Sequence, residues 1–199
     1  MSTNAKTADP SNAKFHEYIY PVIILTLIAL IATALLAVTN NITKPLIDQR
    51  AIEEANAARK AVLPDGDSFT QAQADTLCTS TDGSARVTEV YTADNGSGTV
   101  FTVVTKSFGG DLTMMVGVDS TGAVTGVKVT AHSDTPGVGT KDQDPDYLAQ
   151  YQGRTALTSE DVKSEDGFSY ISGASVSGTA IHKGVYAALA QFAQTGGAQ

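Results

Sequence analysis

The chain has no tryptophan and, in 199 residues, a single cysteine, Cys78. One cysteine makes no intramolecular disulfide and holds neither an iron–sulfur cluster nor a thiolate metal site. Its plain reading is a small, inert side chain. Without tryptophan there is no tryptophan stacking platform. Basic residues are the minority: 13 Lys and Arg face 21 Asp and Glu, for a formal net charge of -8. That balance argues against a nucleic-acid partner, which needs a basic footprint. The three histidines show no zinc-ligand spacing, and neither a GxSxG turn nor a cysteine–histidine pair suggests hydrolysis. The run Asp142-Gln143-Asp144-Pro145-Asp146 imitates half of a calcium loop. Tyr147 stands where that loop needs glycine and Gly153 where it needs a bidentate glutamate, so no metal site is predicted.

One long hydrophobic run is present. From Tyr18 to Thr39 the sequence carries no charge. As a helix it spans about 33 Å, enough for a hydrocarbon core of about 30 Å. Pro21 falls in the first turn, where a missing N–H costs little, and Tyr18 and Tyr20 suit an interface with lipid. A buried helix of a soluble protein and a cleaved signal peptide, with Ala32-Thr33-Ala34 as the site, are the alternatives; the length of the run favours an uncleaved anchor. Charges orient it weakly. Lys6 and Lys14 precede it and Lys44, Arg50, Arg59 and Lys60 follow, a count that leans toward the larger C-terminal part staying inside. Residues 1–17 read as a polar tail and 18–40 as the membrane helix. Residues 41–64 read as a stalk helix with Thr43 as N-cap, ended by Pro64-Asp65-Gly66.

With 42% hydrophobic residues, 65–199 can build a packed core. Residues 65–86 are polar and give weak signals. Val87–Thr92 and Thr99–Thr105 flank the turn Asp94-Asn95-Gly96. Leu112–Val118 and Val124–Thr130 flank Asp119-Ser120-Thr121-Gly122. These are two predicted hairpins. A loop follows over 133–144 and a short helix over 146–151. A final helix from about Val176 places Ile181, Val185, Ala188, Leu189 and Phe192 on one face. Three to four antiparallel strands with flanking helices make an α+β domain.

Two stretches could carry chemistry. Ser172-Gly173-Ala174-Ser175-Val176-Ser177-Gly178-Thr179 gathers four hydroxyls and small residues at a helix start, where free N–H groups and a partial positive charge suit a phosphate. An ordinary serine N-cap is the competing reading. His132-Ser133-Asp134-Thr135-Pro136-Gly137-Val138-Gly139-Thr140-Lys141 is a polar loop whose glycines allow close approach to a ligand, though its spacing is not that of a nucleotide-binding P-loop.

These stretches, together with Gly109-Gly110-Asp111-Leu112-Thr113-Met114-Met115-Val116-Gly117-Val118-Asp119, resemble the FMN-binding domain of the Rnf and Nqr electron-transfer complexes. The Ser172–Ser175 run resembles that family's flavin-attachment motif. By length the chain is similar to the G subunit of the Rnf complex; an Nqr-type C subunit and a stand-alone anchored FMN protein are the alternatives. The resemblance implies FMN attached covalently through its phosphate to Ser175, which stands where the family usually has threonine. Ser169 stands where the family tends to carry aspartate. Ser177 and Thr179 are fallback acceptors, and Thr135, Pro136, Gly137 and Gly139 shape the pocket. It further implies a separate flavin transferase, other membrane subunits as partners, and a relay role in ferredoxin:NAD oxidoreduction coupled to ion transport. The folded domain would then lie outside the cytoplasmic membrane, against the charge count. A non-catalytic interaction domain with a vestigial motif is the reading from a different class.

Overall fold

The computed structural model describes residues 19–74 and 76–195. The expected tail over 1–17, the anchoring role of Tyr18 and the helix stop at Gly196-Gly197 lie outside them. The chain divides into two units, Met1–Ile52 and Glu53–Gln199.

The described part of the first unit is helix alone, the beginning of α1 (Tyr20–Val62), which continues into the second unit. It contains the one candidate membrane span among the described residues. Its leucines, isoleucines and alanines face outward all round, as a lipid-facing helix requires. The Thr26 and Thr33 hydroxyls donate back to the carbonyls of Val22 and Ala29, at 2.8 and 2.7 Å, and so need no water. The expected N-cap at Thr43 is absent. The helix runs through Pro45, which removes one N–H from the ladder without ending it.

The second unit is built on a five-stranded antiparallel sheet in sequential order: β1 (Phe69–Ala72), β2 (Ala85–Ala93), β3 (Gly98–Ser107), β4 (Gly110–Asp119) and β5 (Val124–Ala131). Both predicted hairpins form. Gly96 turns β2 into β3 with φ 72°, and the Asp119 carboxylate accepts from the N–H groups of Thr121 and Ala123. The fifth strand is β1, paired with β2 at the sheet edge. Residues 145–151 fold as a short α2 (Pro145–Leu148) and a 3₁₀ turn. The long α3 (Ser175–Thr195) starts one residue before the predicted Val176.

Strand alternation divides the core between the two faces of the sheet. Phe101, Val103, Leu112, Met114 and Val116 meet Ile181, Val185, Ala188 and Leu189 of α3. On the other face Val100 and Met115 meet Ala58, Val62 and Leu63 at the end of α1. Each fully buried aliphatic side chain here contributes about 1.5–3 kcal/mol. Gly117 lets the end of α1 approach the sheet: a Cβ there would stand 2.2 Å from the Val62 carbonyl oxygen, which accepts the Thr125 hydroxyl. Packing α3 onto β2, β3 and β4 sets its N-terminal turn beside the β3–β4 hairpin.

Candidate functional site

Three separate pieces of sequence meet at the start of α3. The first is the tip of the β3–β4 hairpin, carrying Phe108. The second is the loop from Ser133 to Thr140, in which Gly137 adopts φ 77° and Gly139 N–H donates to the Thr135 carbonyl at 3.1 Å. The third is the turn from Ile171 to Ser175, with Gly173 at φ 92°. Asp134 fastens the first two together. It is 4% exposed, and its carboxylate accepts from the Ser107 hydroxyl at 2.6 Å and from Gly109 N–H at 2.8 Å. Charge-assisted bonds of this kind are worth about 1.5–3 kcal/mol each.

These pieces enclose an apolar cavity of about 230 Å³, lined by Phe108, Asp134, Thr135, Val138, Gly139, Gly173, Ala174, Val176 and Ser177. Phe108 is 77% exposed, Val138 50% and Val176 53%. Beyond α1 and the adjoining Ile19, only Leu77 and Tyr170 are comparably exposed large apolar side chains among the described residues. Such concentration of apolar surface around one hollow makes it the candidate ligand site.

A second, polar cavity of about 300 Å³ lies against the same turn of α3, lined by Asp82, Ser84, Lys106, Asp161, Lys163, Ser175, Val176, Thr179, Ala180 and Lys183. Val176 borders both cavities. The three candidate hydroxyls differ sharply. Ser177 is 1% exposed. The Thr179 hydroxyl donates to Asp161 at 3.2 Å. Ser175 is half-buried and faces the polar cavity, and its hydroxyl has no hydrogen-bond partner among the described residues. The Val176 and Ser177 N–H groups of the first turn precede the first intrahelical donor, Gly178, which bonds the Ala174 carbonyl at 3.0 Å.

The two motifs read from sequence therefore come together, but not every residue in them lines a cavity. Thr135, Gly139, Gly173, Ala174 and Ser177 line the apolar one; Ser175 and Thr179 line the polar one. Ser172, Pro136 and Gly137 are exposed and line neither. Gly178 is buried behind the site, where a Cβ would stand 3.0 Å from Asp142 Oδ2 and 3.1 Å from the Tyr147 hydroxyl. The sequence reading missed Phe108 and the three lysines. They come from different elements, and no local pattern marks them.

It also gave Asp142 no role beyond a failed calcium loop. Asp142 is fully buried, and neither carboxylate oxygen has a hydrogen-bond partner among the described residues. Burial pushes its carboxyl up to about 6; the nearby Gly178 N–H offsets part of this and the Asp134 carboxylate adds to it. Burial, with Asp142 adding to it, likewise pushes the Tyr147 hydroxyl up to about 12. Deeper in α3, burial holds the His182 imidazole below its usual range. Its ring contacts Tyr151 OH at 3.3 Å and the Ser159 carbonyl at 3.0 Å. No cluster of metal-ligating side chains occurs among the described residues.

An apolar hollow next to a polar one with a free hydroxyl and lysines suits a ligand that is apolar at one end and anionic at the other. The family matches agree. Residues 107–190 match the FMN-binding domain family, and residues 20–62 match the family of the RnfG N-terminal region. The G subunit of the ion-translocating oxidoreductase complex of Stutzerimonas stutzeri is 31% identical over 171 residues, covering 81% of this chain and 74% of that one. The G subunit of the proton-translocating ferredoxin:NAD(+) oxidoreductase complex of Clostridium ljungdahlii is 26% identical over 180 residues, covering 87% of this chain and 91% of that one. A crystal structure of Shewanella oneidensis NqrC aligns with a TM-score of 0.40 at 21% identity, over 68% of this chain and 66% of that one.

Proposed function

Because the chain belongs to the G-subunit family of ion-translocating oxidoreductase complexes, we propose that it is the electron-transferring flavoprotein subunit of such a complex, with FMN esterified through its phosphate to Ser175. The observation that carries this reading is the pairing of one free hydroxyl with one apolar hollow. Ser175 is the candidate acceptor whose oxygen is both accessible and uncommitted, and Phe108, Val138 and Val176 expose their apolar surface beside it.

The protein's part is to hold and shield the cofactor. Phe108, Val138 and Val176 exclude water from the ring. Asp134, tied to Ser107 and Gly109, fixes the loop that forms the opposite wall. FMN supplies the redox chemistry when bound. A cofactor held through its phosphate at Ser175 would supply electron transfer to a partner's redox centre. A flavin transferase makes the ester. Membrane lipid surrounds the span over 18–40. Residues 1–17 lie in the cytoplasm, the stalk at 41–64 leads out of the membrane, and 65–199 form the extracytoplasmic FMN-binding domain. Large domains cross membranes largely regardless of flanking charge, so the weak charge count does not oppose this orientation.

The test is intact mass and in-gel flavin fluorescence of the full chain coexpressed with a flavin transferase. Wild type carries one FMN per chain, and S177A and T179A keep it. S175A carries none; a full adduct on S175A would refute the assignment.

A further inference from the structure

The polar cavity has a charge balance unlike the rest of the chain. Against an overall formal charge of -8, Lys106 of β3, Lys163 of the 3₁₀ turn Val162–Ser164 and Lys183 of α3 converge on one hollow. Its two carboxylates are already committed. Asp82 binds the Lys183 ammonium and also accepts from the Ser80 and Ser84 hydroxyls and from Ser84 N–H, which holds its carboxyl well below the usual carboxylate range. Asp161 accepts from Lys163 N–H at 3.1 Å and from the Thr179 hydroxyl at 3.2 Å. Lys183 is thus neutralised by Asp82. Lys106 and Lys163 have no carboxylate within salt-bridge distance among the described residues. Lys163 lies 5.7 Å over the Tyr170 ring, a weak contact that leaves its three N–H donors available.

The lining thus carries three ammonium groups against two carboxylates, a net charge of +1, and the ammonium groups of Lys106 and Lys163 keep donors for an anion with several acceptor oxygens. We propose that Lys106 and Lys163 form a phosphate clamp, an anion subsite distinct from the apolar cavity, which positions a phosphate against the Ser175 hydroxyl. The clamp's link to the ester rests on the proposed function; the anion subsite itself does not. No bond forms or breaks at the lysines: they are positioning residues that offset charge. The division of labour is asymmetric. Lys183, held by Asp82 and 3.2 Å from Ser84 Oγ, shapes the wall, and the other two face the ligand.

The probe is inorganic phosphate, titrated by calorimetry and by lysine side-chain NMR into full-length protein in detergent, expressed without a flavin transferase. Wild type is expected to bind one phosphate saturably, with affinity falling as sodium chloride is raised. K106M/K163M weakens it about tenfold, the scale for two partly screened charge pairs. K106R/K163R, which keeps both charges, restores binding and so separates lost charge from lost fold. No saturable binding to wild type, or equal affinity in wild type and K106M/K163M, overturns the clamp. Intact mass on S175A fails independently: an adduct surviving there removes the ester from Ser175 and leaves the clamp, whereas absent phosphate binding removes the clamp and leaves the ester.

Discussion

Replacing Asp142 by Asn tests the burial argument at its sharpest point. In the folded chain the Asp142 carboxyl is raised to about 6 from an ordinary value of 3.8. A raised carboxyl means that the fold prefers the neutral form. Its stabilising contribution is complete below about pH 4 and is lost as pH rises through about 6. A gap of about two units corresponds to at most about 3 kcal/mol. Relaxation and solvent near the loop reduce this to about 1–2 kcal/mol. Asn has the same shape and never ionises. At pH 3, below both values, D142N and wild type should therefore melt together. At pH 8 D142N should be the more stable by about 1–2 kcal/mol, a rise of roughly 2–8 °C in Tm for a chain of this size. Asp82, Asp119 and Glu165, whose carboxyls are lowered, contribute in the opposite sense and lose their contribution as pH falls. They are common to both proteins and cancel in the difference. The assay is circular-dichroism melting of both full-length proteins in the same detergent across this pH range. A pH-independent difference, or a D142N protein less stable at pH 8, would show that the buried carboxyl is not held neutral.

Two glycines give further tests. At Gly139 a methyl group would stand 2.9 Å from Ser177 Oγ and 3.0 Å from Asp134 Cβ; G139A should displace the Asp134 latch, cost about 1–3 kcal/mol, and lower the flavin content read by absorbance, while unchanged content would remove Gly139 from the pocket wall. At Gly117 the obstacle is the backbone carbonyl of Val62, 2.2 Å from the added carbon, so G117A should cost about 3 kcal/mol or more; an unshifted urea midpoint would contradict that close contact.

The elements with strong local signals were legible in the sequence. An uncharged hydrophobic run specifies the anchor helix, and Asp94-Asn95-Gly96 and Asp119–Gly122 specify their turns whatever surrounds them. Strand β1 was not legible. Phe69-Thr70-Gln71-Ala72 is short and polar, and it becomes a strand because the edge of β2 offers unpaired backbone. Thr43 and Pro45 misled because a capping residue before a proline is a start signal only where the helix is not already running. Within the site, the small-residue motifs were readable because glycine and serine constrain the backbone nearby. Phe108, Lys106 and Lys163 were not: their placement arises from the sheet register and the docking of α3, which bring positions far apart in sequence to two neighbouring hollows. Asp142 looks like any loop aspartate until its burial is known.

The sequential order of the sheet has a consequence for when the site can exist. Each strand from β2 to β5 pairs with the one just made, so the meander can form from neighbouring contacts as the chain emerges. The hollow cannot. Its walls come from the tip of the β3–β4 hairpin, the 133–140 loop and the turn that leads into α3, and α3 docks across strands completed many residues earlier. A chain that has made its whole sheet but not yet seated α3 presents Phe108 to solvent with nothing opposite it. Binding in this hollow is thereby placed after folding: only a chain whose last helix has docked offers a complete set of walls to a ligand.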